Sequence, residues 1–298
     1  MTIRINPYVV PDLLAAIALD QQQQNTAIQQ ISTGKSVNSL SDNPAAATDV
    51  VFNHIQASQN SQYLLNITDL TPQLQTGEAA VNSAVTALTQ AISLGIEGAN
   101  GTLSAANQQQ VATQVIGIRD QILSLANQTY QGNYVFAGTA TSTLPFVLNS
   151  ALPGGVQYNG NSGVDSLDIA QGSTIAINVP GSQIFTNSAG NVIGSLNGLI
   201  TALQTNTGIS AAVTTVQQAF SHLNSQSVFY GNALTQLNST QNYLSNSNLQ
   251  LASQENSLIG VDLATAATNL SQSTLAVNAV LAATNQILST LNLLSYLK

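Results

Sequence analysis

Ser32-Thr33-Gly34-Lys35-Ser36 contains the Gly-Lys-Ser end of a phosphate-binding loop, whose backbone amides cradle phosphates while the lysine reaches them. The full pattern needs a glycine five positions before Gly34 and a strand leading into the loop. Gln29 stands at that place and the residues before it read as a helix, so nucleotide binding is not expected. The two imidazoles, His54 and His222, each sit alone in a helical stretch without acids at metal-ligand spacing. Serines are plentiful, yet no Gly-x-Ser-x-Gly turn offers one to a base, and acids such as Asp120 and Asp165 show no catalytic pairing. The residues therefore point to no catalytic, cofactor-binding or metal-ligating set, to no cofactor, and to a protein that is not an enzyme.

Composition narrows the classes further. The chain has 298 residues, 44% of them hydrophobic, which suffices for one large domain or two smaller ones. Only 5% are charged, and Ser, Thr, Asn and Gln fill the polar positions instead. Four basic against twelve acidic residues give a net charge of -8, so no nucleic acid is expected as partner. Cysteine is absent, which removes disulfides and thiolate sites and fits an exported protein. Residues 1–20 do not read as a cleaved signal peptide, and every long apolar run is interrupted by Asn, Gln, Ser or Thr, so stable membrane insertion is not expected.

The elements follow from spacing. Val10, Leu14, Ile17, Gln21, Gln24, Ile28 and Ile31 lie along one helical face that ends near Gly34. Ser41-Asp42-Asn43-Pro44 starts a second helix, with capping side chains ahead of a proline at the first helical position. Its stripe reaches Leu65, Thr71-Pro72 is expected to end or kink it, and a stripe from Leu74 to Ile92 resumes. After Gly98-Ala99-Asn100-Gly101, Ser104 caps a helix with the face Val111, Val115, Ile118, Ile122 and Leu125. From about residue 133 to 193, short apolar runs between Gly, Pro and Asn predict a small β-rich insert.

Helix returns near Leu196, and Val216, Leu223, Tyr230, Leu237, Leu244, Leu251 and Leu258 then recur every seventh residue. This seam demands a helical partner. Its companion positions change from Phe220 and Leu234 to Gln241, Asn248 and Glu255, so it narrows toward its C-terminal end. Beyond Gly260, Leu263, Ala267, Leu270, Val277, Leu281, Leu288 and Leu291 form one stripe, and Val280, Ile287 and Leu294 a second. So broad an apolar face wants cover on several sides, which neighbouring chains would supply. A lone amphipathic helix also buries too little to offset the entropy of ordering it, so both termini are expected to be mobile in the monomer and to fold on assembly.

Three stretches resemble the flagellar hook-associated protein 3 family of the flagellin superfamily. Residues 30–38, Gln-Ile-Ser-Thr-Gly-Lys-Ser-Val-Asn, with Ser41 to Ala46, are similar to the N-terminal signature shared by flagellins and this family. Gly132 to Thr139, containing Tyr134, Phe136, Gly138 and Thr139, with Pro145-Phe146 and Val156 to Gly160, resembles the adaptor more than a typical flagellin. Ile259 to Gln272 and the ending Leu293-Leu294-Ser295-Tyr296-Leu297 resemble the family's C-terminal helix, with Ser295 in place of an acid.

The resemblance implies a mainly α fold: an elongated helical rod, a flagellin-like coiled-coil bundle built from N- and C-terminal segments, with a small β-rich insert domain. The expected divisions are an assembly helix at 1–40, rod halves at 41–132 and 196–259, an outward insert at 133–195, and a second assembly helix at 260–298. It further implies a secreted structural adaptor of the bacterial flagellum, exported by the type III pathway without a cleaved signal. Its implied partners are itself, hook-associated protein 1, flagellin and an export chaperone. Val10, Leu14, Ile17, Ile28, Ile31, Leu270, Val277, Leu281, Leu288, Leu291 and Leu294 are the expected assembly face. Flagellin itself is the nearest alternative. A membrane-active helical translocator is a further one, although only Lys298 flanks the C-terminal face. With so few charges, indifference to salt and mild acid is expected.

Overall fold

The computed structural model describes residues 9–152, 154–188 and 190–294, with side chains described from residue 11 to 286 within those ranges. Seven helices and eight short strands follow one another among the described residues. Two compact units emerge: residues 1–58 with 247–298, and residues 59–246. Two long helices, α2 (Pro44–Gly98) and α6 (Ile209–Ile259), contribute to both.

The unit of residues 59–246 holds a continuous apolar core. Ile67, Leu74, Val81 and Leu88 of α2, Val115 and Ile122 of α3 (Ala105–Ala126), and Leu196 and Leu199 of α5 (Val192–Thr205) are buried. The α6 stripe joins them through Val216, Leu223, Tyr230, Leu237 and Leu244. Within this unit α2 and α6 run antiparallel: Gly77 faces Tyr230, Asn82 meets Ser227, and Gly95 faces Val213. A Cβ on Gly77 would stand 2.7 Å from the Tyr230 ring, so the glycine is what lets the helices close over that phenol.

Of the end or kink expected at Pro72, the end does not occur, because helix α2 continues through it. The proline removes the bond to the Thr68 carbonyl. Burial of Ile67, Leu70 and Leu74 on both sides outweighs that loss, which is about 3 kcal/mol for a helix-interior proline. Thr71 and Thr76 give their hydroxyl protons to the carbonyls of Ile67 and Pro72, at 2.7 and 2.8 Å. One window of α2 is long and apolar enough to cross a bilayer, with mean hydropathy 1.3.

The strands form four antiparallel two-stranded hairpins: β1 (Thr129–Tyr130) with β2 (Asn133–Tyr134), β3 (Phe146–Leu148) with β4 (Val156–Tyr158), β5 (Ser166–Ala170) with β6 (Ser173–Ala176), and β7 (Thr186–Asn187) with β8 (Gly190–Asn191). Gln131 and Gly132, both at positive φ, make the two-residue turn between β1 and β2 that suits the twist of a hairpin. The hairpins and the one-turn helix α4 (Gly181–Ile184) share the helical core through Phe136, Phe146, Ile169, Ile184 and Phe185. Ser104 caps α3 by accepting from the Asn107 N–H at 3.2 Å.

The unit of residues 1–58 and 247–298 is built differently. Helices α1 (Val9–Thr33) and α7 (Leu263–Leu294) lie side by side in opposite directions, with Gln24 donating to Thr274 at 3.1 Å. The side chains buried here are Ala27, Ala46, Ile259 and Ala266, with the polar Asn53 and Ser273.

Throughout the helices of both units, hydroxyls donate to the carbonyl four residues back. Thr48, Thr86, Thr113, Thr201, Thr235 and Thr268 do so at 2.8 to 3.0 Å.

Candidate assembly surfaces

The Gly-Lys-Ser stretch joins two distant parts of the chain. Gly34, at φ 70°, ends α1 by donating its N–H to the Gln30 carbonyl. Its own carbonyl accepts from Val261 N–H at 3.1 Å, and Ser36 donates to the Ile259 carbonyl from its N–H at 2.6 Å and its hydroxyl at 3.0 Å. The stretch thus forms a short antiparallel bridge, Lys35 to Gly260, onto the turn between α6 and α7. A signature that looks like a phosphate loop is a fastening between the two ends of the chain.

Glu255 holds the same place from α6. One carboxylate oxygen meets Lys35 Nζ at 3.2 Å and the other meets His54 Nε2 at 2.9 Å. Partial burial alone would raise the Glu255 carboxyl, but the hydrogen bonds from His54 and Lys35 outweigh it and hold the group below its usual range. His54, read from sequence as having no acids at metal-ligand spacing, meets a single acid 201 residues away. Asp42 accepts from the N–H groups of Asn38 and Ser39 and from the Ser39 hydroxyl, which lowers its carboxyl. Asn43 accepts from Ala46 N–H to start α2. Asp262 is lowered in the same manner by Thr265 and Ala264 at the start of α7.

The expected assembly face is placed as follows. Leu14, Ile28 and Leu281 are exposed, while Ile17, Ile31, Leu270 and Val277 are half-buried between α1 and α7. Val10, Leu288, Leu291 and Leu294 lie on these helices, outside the described side chains. Residues absent from that set are exposed as well: Leu275 at 71%, Leu19 at 56% and, on the α2 start, Phe52 at 62%. Of the seam, the five residues from Val216 to Leu244 are buried together, Leu251 is half-buried and Leu258 is exposed. Sequence reasoning missed the small contacts Ala27, Ala266 and Ser273, although Ala266 and Ser273 stand one heptad apart and carried the signal of a close helix approach.

Tyr134, Phe136, Gly138 and Thr139 form a locked corner. Phe136 packs edge-on against Phe185, with centroids 5.3 Å apart, and its carbonyl accepts from Gly181 N–H and the Tyr158 hydroxyl. Tyr134 N–H donates to the Thr141 carbonyl at 2.8 Å. Gly138 has φ 70° and leaves no room for a Cβ beside Asn161. That asparagine accepts from Thr139 N–H at 2.8 Å and donates to its hydroxyl at 2.7 Å. Phe146 and Tyr158 complete the cluster, with ring centroids 4.9 Å apart. The three motif pieces, from residues 134–139, 145–146 and 156–160, thereby meet in one place.

Among the described residues, no three His, Cys, Asp or Glu side chains gather as a metal site would require.

Residues 11–141 match the bacterial flagellin N-terminal helical region. Flagellar hook-associated protein 3 of Salmonella typhimurium is 36% identical over 171 residues, covering 57% of this chain and 52% of the relative. Its Escherichia coli counterpart is 33% identical over the same extent. The chain thus spans about half the length of the curated relatives it matches. The crystal structure of flagellar hook-associated protein 3 from Legionella pneumophila shares the fold, with a TM-score of 0.63 at 14% identity, covering 70% of this chain and 98% of that one. The chain is mainly α in fold, is similar to flagellar hook-associated protein 3 over 171 residues, and matches the flagellin N-terminal helical region over residues 11–141.

Proposed function

We propose that the chain is a structural adaptor of the bacterial flagellum that joins the hook, through hook-associated protein 1, to the flagellin filament. The observation that carries this reading is the exposure of Leu14, Leu19, Ile28, Leu275 and Leu281 on α1 and α7, whose fully buried side chains, among the described residues, are the small Ala27, Ala266 and Ser273. Large aliphatic side chains on both terminal helices remain for copies of the chain, and for hook-associated protein 1 and flagellin at either end of the layer, to bury. An export chaperone that covers the same helices before assembly is part of this reading, as is secretion without a cleaved signal.

Deletion of the gene in a motile host tests it, with filaments viewed by electron microscopy and flagellin assayed in the medium. Bare hooks with flagellin lost to the medium are expected. Bare hooks with no flagellin anywhere would favour the second reading, a filament subunit, which the match of residues 11–141 to the flagellin N-terminal region supports. Normal filaments would overturn both.

A further inference from the structure

The sequence contains three Asn-Gly pairs, Asn100-Gly101, Asn159-Gly160 and Asn197-Gly198, and the fold puts them in three different chemical situations. An asparagine followed by glycine converts itself when the glycine nitrogen can reach the side-chain carbonyl carbon. The step needs a free N–H, an unhindered backbone, a polarised carbonyl and an untethered leaving amine.

Asn197 has an Oδ1 that accepts from Arg119 at 3.3 Å and open space at Gly198, but it fails on the free N–H and on the untethered leaving amine. Gly198 lies inside α5, where the helix ladder engages its N–H. The side-chain nitrogen of Asn197 is held by the Gly154 carbonyl at 2.7 Å. Asn159 is exposed, but Gly160 is wedged between the Tyr158 ring and the Ala137 carbonyl, and Asn159 N–H is bound to the Pro145 carbonyl at 2.8 Å. Its backbone is fixed by the locked corner.

Asn100 meets all four conditions. It is exposed in the turn between α2 and α3, and nothing stands within 4 Å of where a Gly101 side chain would begin. Neither the Gly101 N–H nor the Asn100 side-chain nitrogen is bonded among the described residues. The Asn100 Oδ1 accepts from Thr102 twice, from its N–H at 3.3 Å and its hydroxyl at 3.0 Å, which draws electron density from the carbon to be attacked.

We infer that Asn100 is a self-modification site, which turns into aspartate or isoaspartate without any enzyme. The Gly101 nitrogen bonds to Asn100 Cγ and gives up its proton to solvent. The Cγ–N bond of the side chain breaks, ammonia leaves, and a succinimide remains. Water then opens either carbonyl of that ring. One water is consumed and one ammonia released, and the chain gains one negative charge beyond its -8. Isoaspartate also adds a methylene to the backbone, in the turn that the Leu103 N–H to Asn100 carbonyl bond now closes at 3.0 Å.

The test is incubation of the full chain in mildly alkaline buffer, followed by peptide mapping that separates aspartate from isoaspartate. Conversion at Asn100 is expected to run at least ~10-fold faster than at Asn159 and Asn197, a barrier difference of about 1.4 kcal/mol. Gly101→Ala, which the open space tolerates, should slow it by a similar factor with unchanged circular dichroism. Thr102→Val should slow it less. Equal rates at the three sites, or a Gly101→Ala chain that converts as fast as the parent, would overturn the assignment.

Discussion

The two units of this molecule bury large side chains to different extents. In residues 59–246 the helices and hairpins close over Phe136, Phe146, Phe185, Leu223 and Leu237, while Leu65, Ile96 and Val228 remain exposed. In residues 1–58 and 247–298 the buried side chains are Ile259 and the small or polar Ala27, Ala46, Asn53, Ala266 and Ser273, while Leu14, Leu275 and Phe52 face outward. Both units draw on the same nearly uncharged alphabet. The difference lies in where the large apolar groups sit: the first unit encloses many of them within one chain, and the second leaves many exposed, which under the proposed function are the groups that assembly covers.

The sharpest way to break that contrast is to truncate one large side chain in each unit. Phe136→Ala should cost about 3–5 kcal/mol, by loss of transfer energy and the cavity left in the aromatic cluster. Leu275→Ala should change monomer stability by less than about 0.5 kcal/mol and yet block assembly. Denaturant unfolding of the monomer and electron microscopy of assemblies read the two effects; a Leu275→Ala monomer as unstable as the Phe136→Ala one would erase the distinction.

Gly138→Ala sharpens the same side of the comparison. A side chain there meets Asn161 and must hold a left-handed φ, for a cost of about 2 kcal/mol, seen as a lowered unfolding midpoint. Tyr230→Phe probes whether the first unit is well packed throughout. The Tyr230 hydroxyl is buried without a partner, and burial pushes its pKa well up, so its removal should be neutral or stabilise by about 1 kcal/mol. A destabilised Tyr230→Phe chain would reveal a bond that the fold does not show.

The smallest expected effect belongs to the fastening in the other unit. Glu255→Gln releases Lys35 and His54 for roughly 0.5–1 kcal/mol. Asp42, Glu255 and Asp262 all have lowered folded pKa values, so their contribution is present above the ordinary carboxylate range and is lost as pH falls through the lowered values. Stability should hold from neutral to mildly acidic pH and decline only below about pH 4. A midpoint that drops between neutral and mildly acidic pH would contradict this.

Much of the helical fold was legible because it is periodic and locally punctuated. The seven-residue stripe from Val216 to Leu244 lies in the core, and Gly34, Asn43-Pro44 and Ser104 stand at helix ends. Pro72 misled because a proline is a local signal and the burial that carries α2 through it is tertiary. The outward leucines of α1 and α7 could be read as a stripe, whereas the small Ala27, Ala266 and Ser273 turned inward carry only a weak signal, the heptad spacing of the last two. The partnership of Glu255 with Lys35 and His54 spans more than 200 residues, and no spacing rule reaches that far.

The helix hydroxyls that bond back to their own carbonyls have a consequence for whatever touches this protein. Each has spent its single proton at home, so it shows a neighbour lone pairs and no donor. Two such surfaces pressed together have little to exchange unless Asn and Gln amides or a partner's N–H groups supply the protons. Toward dissolved ions these hydroxyl rows are themselves neutral, within a chain of net charge -8, and contacts made on them are sorted by the pattern of hydrogen-bonding dipoles.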